Sequence, residues 1–166
     1  MKKFCNASTV FLFLLLSSSA FAGVEEKNLT GRLGLGFTNQ IAVSADGTIP
    51  ALDAKYYLSK FFATSIGLGF DSRSADSRMG LGAKLYRTLF LESNLVFYGG
   101  GGVAYVSHAG SKTQFSLFLG SEFFFAQLPS LGFSFEAGVR GDSTTGSFAV
   151  RTTGDSFLTA GMHFYF

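Results

Sequence analysis

The sequence predicts an all-β protein, a closed antiparallel eight-stranded transmembrane β-barrel, and three observations carry that prediction. The chain opens on a secretory leader, the remainder holds no apolar run long enough for a membrane helix, and most of that remainder alternates between bulky apolar and small or polar residues. A period of two marks strands whose two faces meet different surroundings.

In the leader, Lys2 and Lys3 precede an apolar stretch over residues 10–16, three serines follow, and Ala20 and Ala22 flank Phe21. A basic start, a short apolar core and an A-x-A exit make a cleavable signal peptide. The core is too short to cross a bilayer, which takes roughly 20 residues. Cleavage after Ala22 divides the chain into a signal peptide, 1–22, and a single barrel domain, 23–166, rich in Gly and Phe and without linker composition. The only cysteine, Cys5, lies upstream of the apolar core and leaves with it. The mature chain is therefore expected to lack disulfides and cysteine-based metal sites. Two of the 13 basic residues, Lys2 and Lys3, leave as well, so 11 bases face 11 acids. A neutral chain without a basic block gives no reason to expect nucleic acid as a partner.

The alternation is clearest at the end, where Leu158, Ala160, Met162, Phe164 and Phe166 oppose Thr159, Gly161, His163 and Tyr165. Leu33, Leu35 and Phe37 oppose Arg32, Gly34 and Gly36; Leu52, Ala54, Tyr56 and Leu58 oppose Asp53, Lys55 and Tyr57. Phe62, Ile66, Leu68 and Phe70 are set against Ala63, Ser65, Gly67 and Gly69, and Met79, Leu81, Ala83 and Leu85 against Gly80, Gly82, Lys84 and Tyr86. Phe115, Leu117, Leu119 and Phe123 oppose Gln114, Ser116, Gly120 and Glu122; Phe133, Phe135, Ala137 and Val139 oppose Ser134, Glu136, Gly138 and Arg140. The run Gly99 to Gly102 says nothing about facing, so placing Phe97, Val103 and Tyr105 outward rests on consistency with the other strands. The expected strands are 30–38, 50–58, 61–71, 77–87, 94–107, 113–124, 131–140 and 156–166. An even number returns both termini to one side of a membrane.

Face size then separates a membrane barrel from a soluble one. The polar face is the narrow one, mostly Gly, Ser, Ala and Thr, which suits the cramped interior of an eight-stranded barrel. The bulky face would meet lipid, where unpaired backbone groups are so costly that the sheet must close. Phe62, Phe70, Phe97, Tyr105, Phe123 and Phe133, near strand ends, would form the aromatic girdles.

On these features the chain resembles the small outer-membrane β-barrel family typified by the transmembrane domains of outer-membrane proteins A and X. The resemblance spans essentially the whole mature chain. Its most specific part is Thr159, Gly161, Phe164 and Phe166, which match the family's C-terminal assembly signal. That match implies recognition by the barrel-assembly machinery during biogenesis. The resemblance also implies a multi-pass position in the bacterial outer membrane, among outer-membrane lipid and lipopolysaccharide, as a monomer. No peptidoglycan-binding domain follows the barrel sequence, so anchoring to the cell wall is not implied.

Seven charges fall on inward faces: Arg32, Asp53, Lys55, Lys84, Glu122, Glu136 and Arg140. Isolated ions in so narrow a space would be very costly, so they are expected to pair. A salt-bridged plug that fixes register is the favoured reading, and a polar conduit for small ions the alternative. Catalysis has little support. Adjacent strand residues such as Ser107 and His108 point to opposite faces, and His163, inward beside Thr159 and Tyr165, reads as a hydrogen-bonded core imidazole. Two histidines without cysteine make a poor metal set, so no catalytic, cofactor or metal residues are assigned. The glycine pairs 34 and 36, 67 and 69, 80 and 82 lie inside strands, not in the strand-turn-helix setting of a nucleotide loop; their expected role is to leave room for charges opposite.

With both termini periplasmic, the outer connections are 39–49, 72–76, 108–112 and 141–155, rich in Ser, Thr, Asp and Gly. They carry no recognisable ligand motif. The function expected is structural or surface-interacting, in envelope integrity or adhesion, ahead of a narrow pore and a lipid A-modifying enzyme.

Overall fold

The computed structural model describes residues 27–44, 47–72, 77–107, 110–144, 146–152 and 158–166. The leader with its cleavage residues Ala20 and Ala22, His108, and the expected turn residue Asp46 lie outside the described residues.

Among the described residues there are nine strands: β1 (Leu33–Ser44), β2 (Gly47–Tyr57), β3 (Phe62–Asp71), β4 (Arg78–Leu91), β5 (Leu95–Ser107), β6 (Ser111–Phe125), β7 (Leu128–Thr144), β8 (Ser147–Thr152) and β9 (Leu158–Tyr165). From β1 to β7 each strand pairs antiparallel with the next, and β9 lies between β7 and β1, which closes the cylinder. The amide of Phe166 donates to the Leu33 carbonyl at 2.9 Å and extends that closure to the last residue. β8 pairs with the outer part of β7 and β9 with its inner part. The two therefore lie end to end as one stave, and the barrel has eight staves.

That stave is out of register with itself. Ala137 pairs with Leu158 but Val139 pairs with Thr152, so two steps along β7 correspond to six along the stave, four more than a continuous strand needs. An even surplus preserves the alternation of faces. Phe148 and Val150 accordingly remain exposed on the outside of β8.

The expected connections 39–49 and 141–155 are corrected by the structure. β1 and β2 stay paired out to Ser44 and Gly47, and β7 and β8 out to Thr144 and Ser147. The chain reverses at the latter through Gly146, whose φ of +89° suits a residue without Cβ. Composition misled here for a physical reason. The outer halves of these hairpins mix Ser, Thr, Asp and Gly with their apolar residues, a composition that reads as loop, while the backbone ladder continues.

The inner ends are tight turns. Between β2 and β3 the Ser59 hydroxyl accepts the amides of Phe61 and Phe62, each at 3.2 Å, as short polar side chains do in turns. A bulge between Thr88 and Phe90 lets β4 run on to Leu91, beyond the expected end at 87.

Burial is inverted relative to a water-soluble barrel. Phe37, Leu52, Ile66, Leu85, Leu117 and Phe135 are exposed, whereas Asp53, Lys55, Glu122, Glu136, Arg140 and His163 are buried. On β5 the side chains of Val103 and Tyr105 are exposed and those of Val96, Tyr98 and Val106 buried, which fixes the register the glycine run left open. Among the girdle candidates Phe62, Phe70, Tyr105 and Phe123 are exposed; Phe97 stacks on Phe90 at 4.9 Å and Phe133 meets Phe125 edge-on at 5.7 Å.

Close approach of neighbouring staves shows at Gly138, where an added Cβ would lie 2.1 Å from the Leu117 carbonyl oxygen. Gly138→Val is expected to push β6 and β7 apart at a cost of about 1–3 kcal/mol. Urea titration of the refolded barrel, followed by far-ultraviolet circular dichroism, measures it; an unchanged midpoint would count against this packing.

Candidate functional site

The lumen holds the polar residues in three tiers. The innermost is centred on Glu122 of β6, fully buried. One carboxylate oxygen accepts from Lys55 Nζ and from the Tyr57 hydroxyl, both at 2.8 Å; the other accepts from the Tyr165 hydroxyl at 2.6 Å. Alternation delivers all four side chains, since β2 sends Lys55 and Tyr57 inward together and β9 contributes Tyr165. The Lys55 ammonium is further enclosed by rings, 4.6 Å from the centroid of Tyr86, 4.7 Å from Tyr98 and 5.2 Å from Tyr57. Cation–π attraction of this kind strengthens when water is excluded. Room for the tier comes from glycine. An added Cβ at Gly132 would lie 2.7 Å from Glu122 Oε1, and one at Gly34 would lie 2.6 Å from the Tyr165 ring.

Lys27, ahead of β1, closes this end. Its ammonium lies 3.9 Å over the Phe124 ring and donates to the Pro129 carbonyl at 2.7 Å. Burial there, with Arg32 nearby, holds it below the usual lysine range against the opposing pull of Glu122.

In the middle tier Lys84 pairs with Glu136, whose other oxygen accepts from the Tyr98 hydroxyl at 3.2 Å. Lys84 Nζ also sits 4.3 Å over the Phe118 ring. Asp53 Oδ2 lies 2.9 Å from His163 Nε2, which fixes the imidazole; Nδ1, 3.9 Å from Glu122 Oε1, has no hydrogen-bond partner. Ser65 and Tyr86 share a hydrogen bond at 3.1 Å.

The outer tier is built on Asp142. Arg140 Nε donates to it at 2.8 Å, Arg151 Nε stands 3.3 Å away and Lys112 Nζ 3.9 Å away. Between the outer and middle tiers is a cavity of about 40 Å³ bordered by Thr38, Lys84, Gln114, Ser116, Glu136, Arg140 and Thr159. At about 10–15 Å³ for each water, it has room for about three or four.

Of the seven sequence-derived lumen charges, the structure brings Asp53, Lys55, Lys84, Glu122, Glu136 and Arg140 inside. Arg32 is the exception. β1 begins at Leu33, so Arg32 belongs to the turn before it; its backbone carbonyl accepts from the Tyr57 amide at 3.2 Å, and among the described residues its side chain forms no ion pair with the cluster. Asp142, Arg151 and Lys112 were not foreseen, because they stood in or beside presumed loops. The even-numbered run Arg140, Asp142 was the available signal. Also unforeseen was the aromatic content of the interior, where Tyr98, Phe118 and Phe124 are buried beside Val96. Phe118 and Phe124 share the parity of Glu122, so the pattern contained them.

The C-terminal residues divide between faces. The Thr159 hydroxyl donates to the Glu136 carbonyl at 3.4 Å and Gly161 packs against Ser134, while Phe164 and Phe166 are exposed with their rings 5.2 Å apart. Among the described residues no hydroxyl hydrogen-bonds His163, and no group of three His, Cys, Asp or Glu is placed to hold a metal.

No family model and no curated protein matches the sequence. Among solved structures the chain is similar to the N-terminal β-barrel domain of Pseudomonas aeruginosa OprF, with a TM-score of 0.53 over 81% of this chain and 96% of that one. The fold the two share is a closed antiparallel β-barrel, of eight staves in this chain. At 12% identity the two barrels share architecture and little side-chain detail. The lumen must therefore be read from its own residues.

Proposed function

We propose that the mature chain is a multi-pass outer-membrane protein with a structural or surface-interaction role, in envelope integrity or adhesion, whose lumen is plugged by its own side chains. The observation that carries the reading is inverted burial: a belt of exposed Phe, Leu, Ile and Met surrounds paired, buried charges. Water would penalise such a belt, and hydrocarbon would not. The plug is supported by the Lys55–Glu122 and Lys84–Glu136 pairs, the rings about them, and a residual cavity of about 40 Å³. Residues 1–22 act as the signal peptide, cut after Ala22. Thr159, Gly161, Phe164 and Phe166 act as the signal read by the barrel-assembly machinery. Lipid and lipopolysaccharide are the neighbours, the barrel is monomeric, and it has no enzymatic activity.

Planar-bilayer recording of the refolded mature protein tests the plug, with the heat-dependent gel shift reporting the folded barrel. The expected result is a gel shift without steady conductance. A reproducible conductance that changes on Glu136→Ala would replace the plug with a narrow ion pore, and absence of the gel shift would sink the barrel reading altogether.

A further inference from the structure

In the two inner tiers Lys55 meets Glu122 and Lys84 meets Glu136 one to one, but the outer tier has no such balance. Lys112, Arg140 and Arg151 all stand within 3.9 Å of Asp142, a single carboxylate. Among the described residues of this tier three positive charges meet one negative. The strand register makes the crowding deliberate in a physical sense: Arg140 and Arg151 are direct cross-strand partners, and like charges placed opposite one another destabilise a sheet unless something compensates them. Asp142 compensates one charge and leaves two.

We propose that the outer mouth is a binding site for a phosphate monoester, with Arg151 and Lys112 as its capturing residues and Arg140 as its floor. A phosphate dianion supplies the missing two charges, and its oxygens match the planar fork of arginine. The two capturing side chains are reachable, since the Arg151 side chain is 40% exposed and that of Lys112 14%, whereas Arg140 and Asp142 are almost fully covered. Among the described residues β8 pairs with β7 alone, and its outer surface presents exposed Phe148 and Val150. Either free phosphate or the headgroup of a phosphorylated lipid carries the dianion that this mouth requires. The lipid source rests on the membrane-barrel reading above; recognition of the phosphate itself does not.

The experiment uses the refolded mature protein in zwitterionic micelles, with the gel shift as the control for folding. Phosphorus NMR follows titration with inorganic phosphate and, separately, with dihexanoyl phosphatidic acid. Saturable binding is expected, weakened about tenfold or more in the double variant Lys112→Gln, Arg151→Gln, as loss of charge-assisted hydrogen bonds implies. The single variant Arg151→Gln removes the most exposed member and serves if the double variant does not fold. Asp142→Asn, which removes the internal competitor, is expected to tighten binding. Phosphatidic acid binding much more tightly than inorganic phosphate would identify a lipid headgroup as the ligand, and equal binding would identify free phosphate. A folded wild-type barrel that binds neither, or variants that bind like wild type, would overturn the site while leaving the barrel reading intact. Missing gel shift in the wild type would instead sink that reading.

Discussion

Replacing Glu122 by Ala is expected to destabilise the folded barrel by about 3–5 kcal/mol, the range seen when one partner of a buried ion pair is removed. The carboxylate accepts from Lys55, Tyr57 and Tyr165 together and so joins them in the innermost tier. Without it the Lys55 ammonium stays enclosed among three tyrosine rings with no counter-charge, and two phenols lose their acceptor. The companion double variant, Glu122→Leu with Lys55→Met, leaves no buried charge and is expected to recover much of the loss, because an apolar pair of similar volume often replaces a buried salt bridge at little cost. Urea titration in micelles, read by circular dichroism, gives both values. A Glu122→Ala loss below about 1 kcal/mol, the scale of an exposed pair, would show that water reaches the tier and that the lumen is not plugged there.

The second large effect lies on the opposite face. Leu117→Arg puts a cation on the outer surface of β6, midway between the girdle residues Tyr105 and Phe123 in the paired register. Near the centre of a bilayer this costs about 2–4 kcal/mol, whereas near an interface the cost falls to about 0–1 kcal/mol. Thr113→Arg, on the same face four residues nearer the rim, is therefore the matched control. Reversible unfolding from phosphatidylcholine vesicles separates the two substitutions. Equal, small effects would mean that Leu117 does not face hydrocarbon, and the inverted-burial argument would fall with that result.

Alternation made most of the fold legible, because a thin-walled barrel assigns each residue to one of two environments. Lys55 and Glu122 could be placed in the lumen from parity alone, although they are 67 positions apart in the chain. Their pairing could not, since parity says nothing of height along the barrel axis. Hydrogen-bond register sets that height, and β1, β4 and β7 each contain irregularities that composition does not signal. Asp142 and Arg151 were hidden for the complementary reason. At the outer ends of β7 and β8, Ser143, Thr144 and Ser147 on the ladder look like loop residues. The glycine pairs were read as space for charges, and Gly67 does face Asp53, 3.0 Å from where its Cβ would be. Gly34 instead accommodates the ring of Tyr165, because the lumen is filled by aromatic side chains as much as by ions.

The broken eighth stave has a practical consequence. β8 and β9 each hold their own ladder to β7, with Val139 and Ala137 marking where one ends and the other begins. Val139 and Ala137 pair on their other side with Leu117 and Leu119, so the join lies at the height of Leu117, inside the apolar belt. Foreign peptide placed between Thr152 and Leu158 is expected to lower the midpoint of urea unfolding, because hydrocarbon offers an added backbone no hydrogen-bond partner. The same number of residues placed inside β9 would break the seam with β1 and abolish the folded band on a gel. The place where this wall can take added sequence is thus the hairpin tip at Gly146, beyond the last rung between Thr144 and Ser147, where neither ladder has to shift.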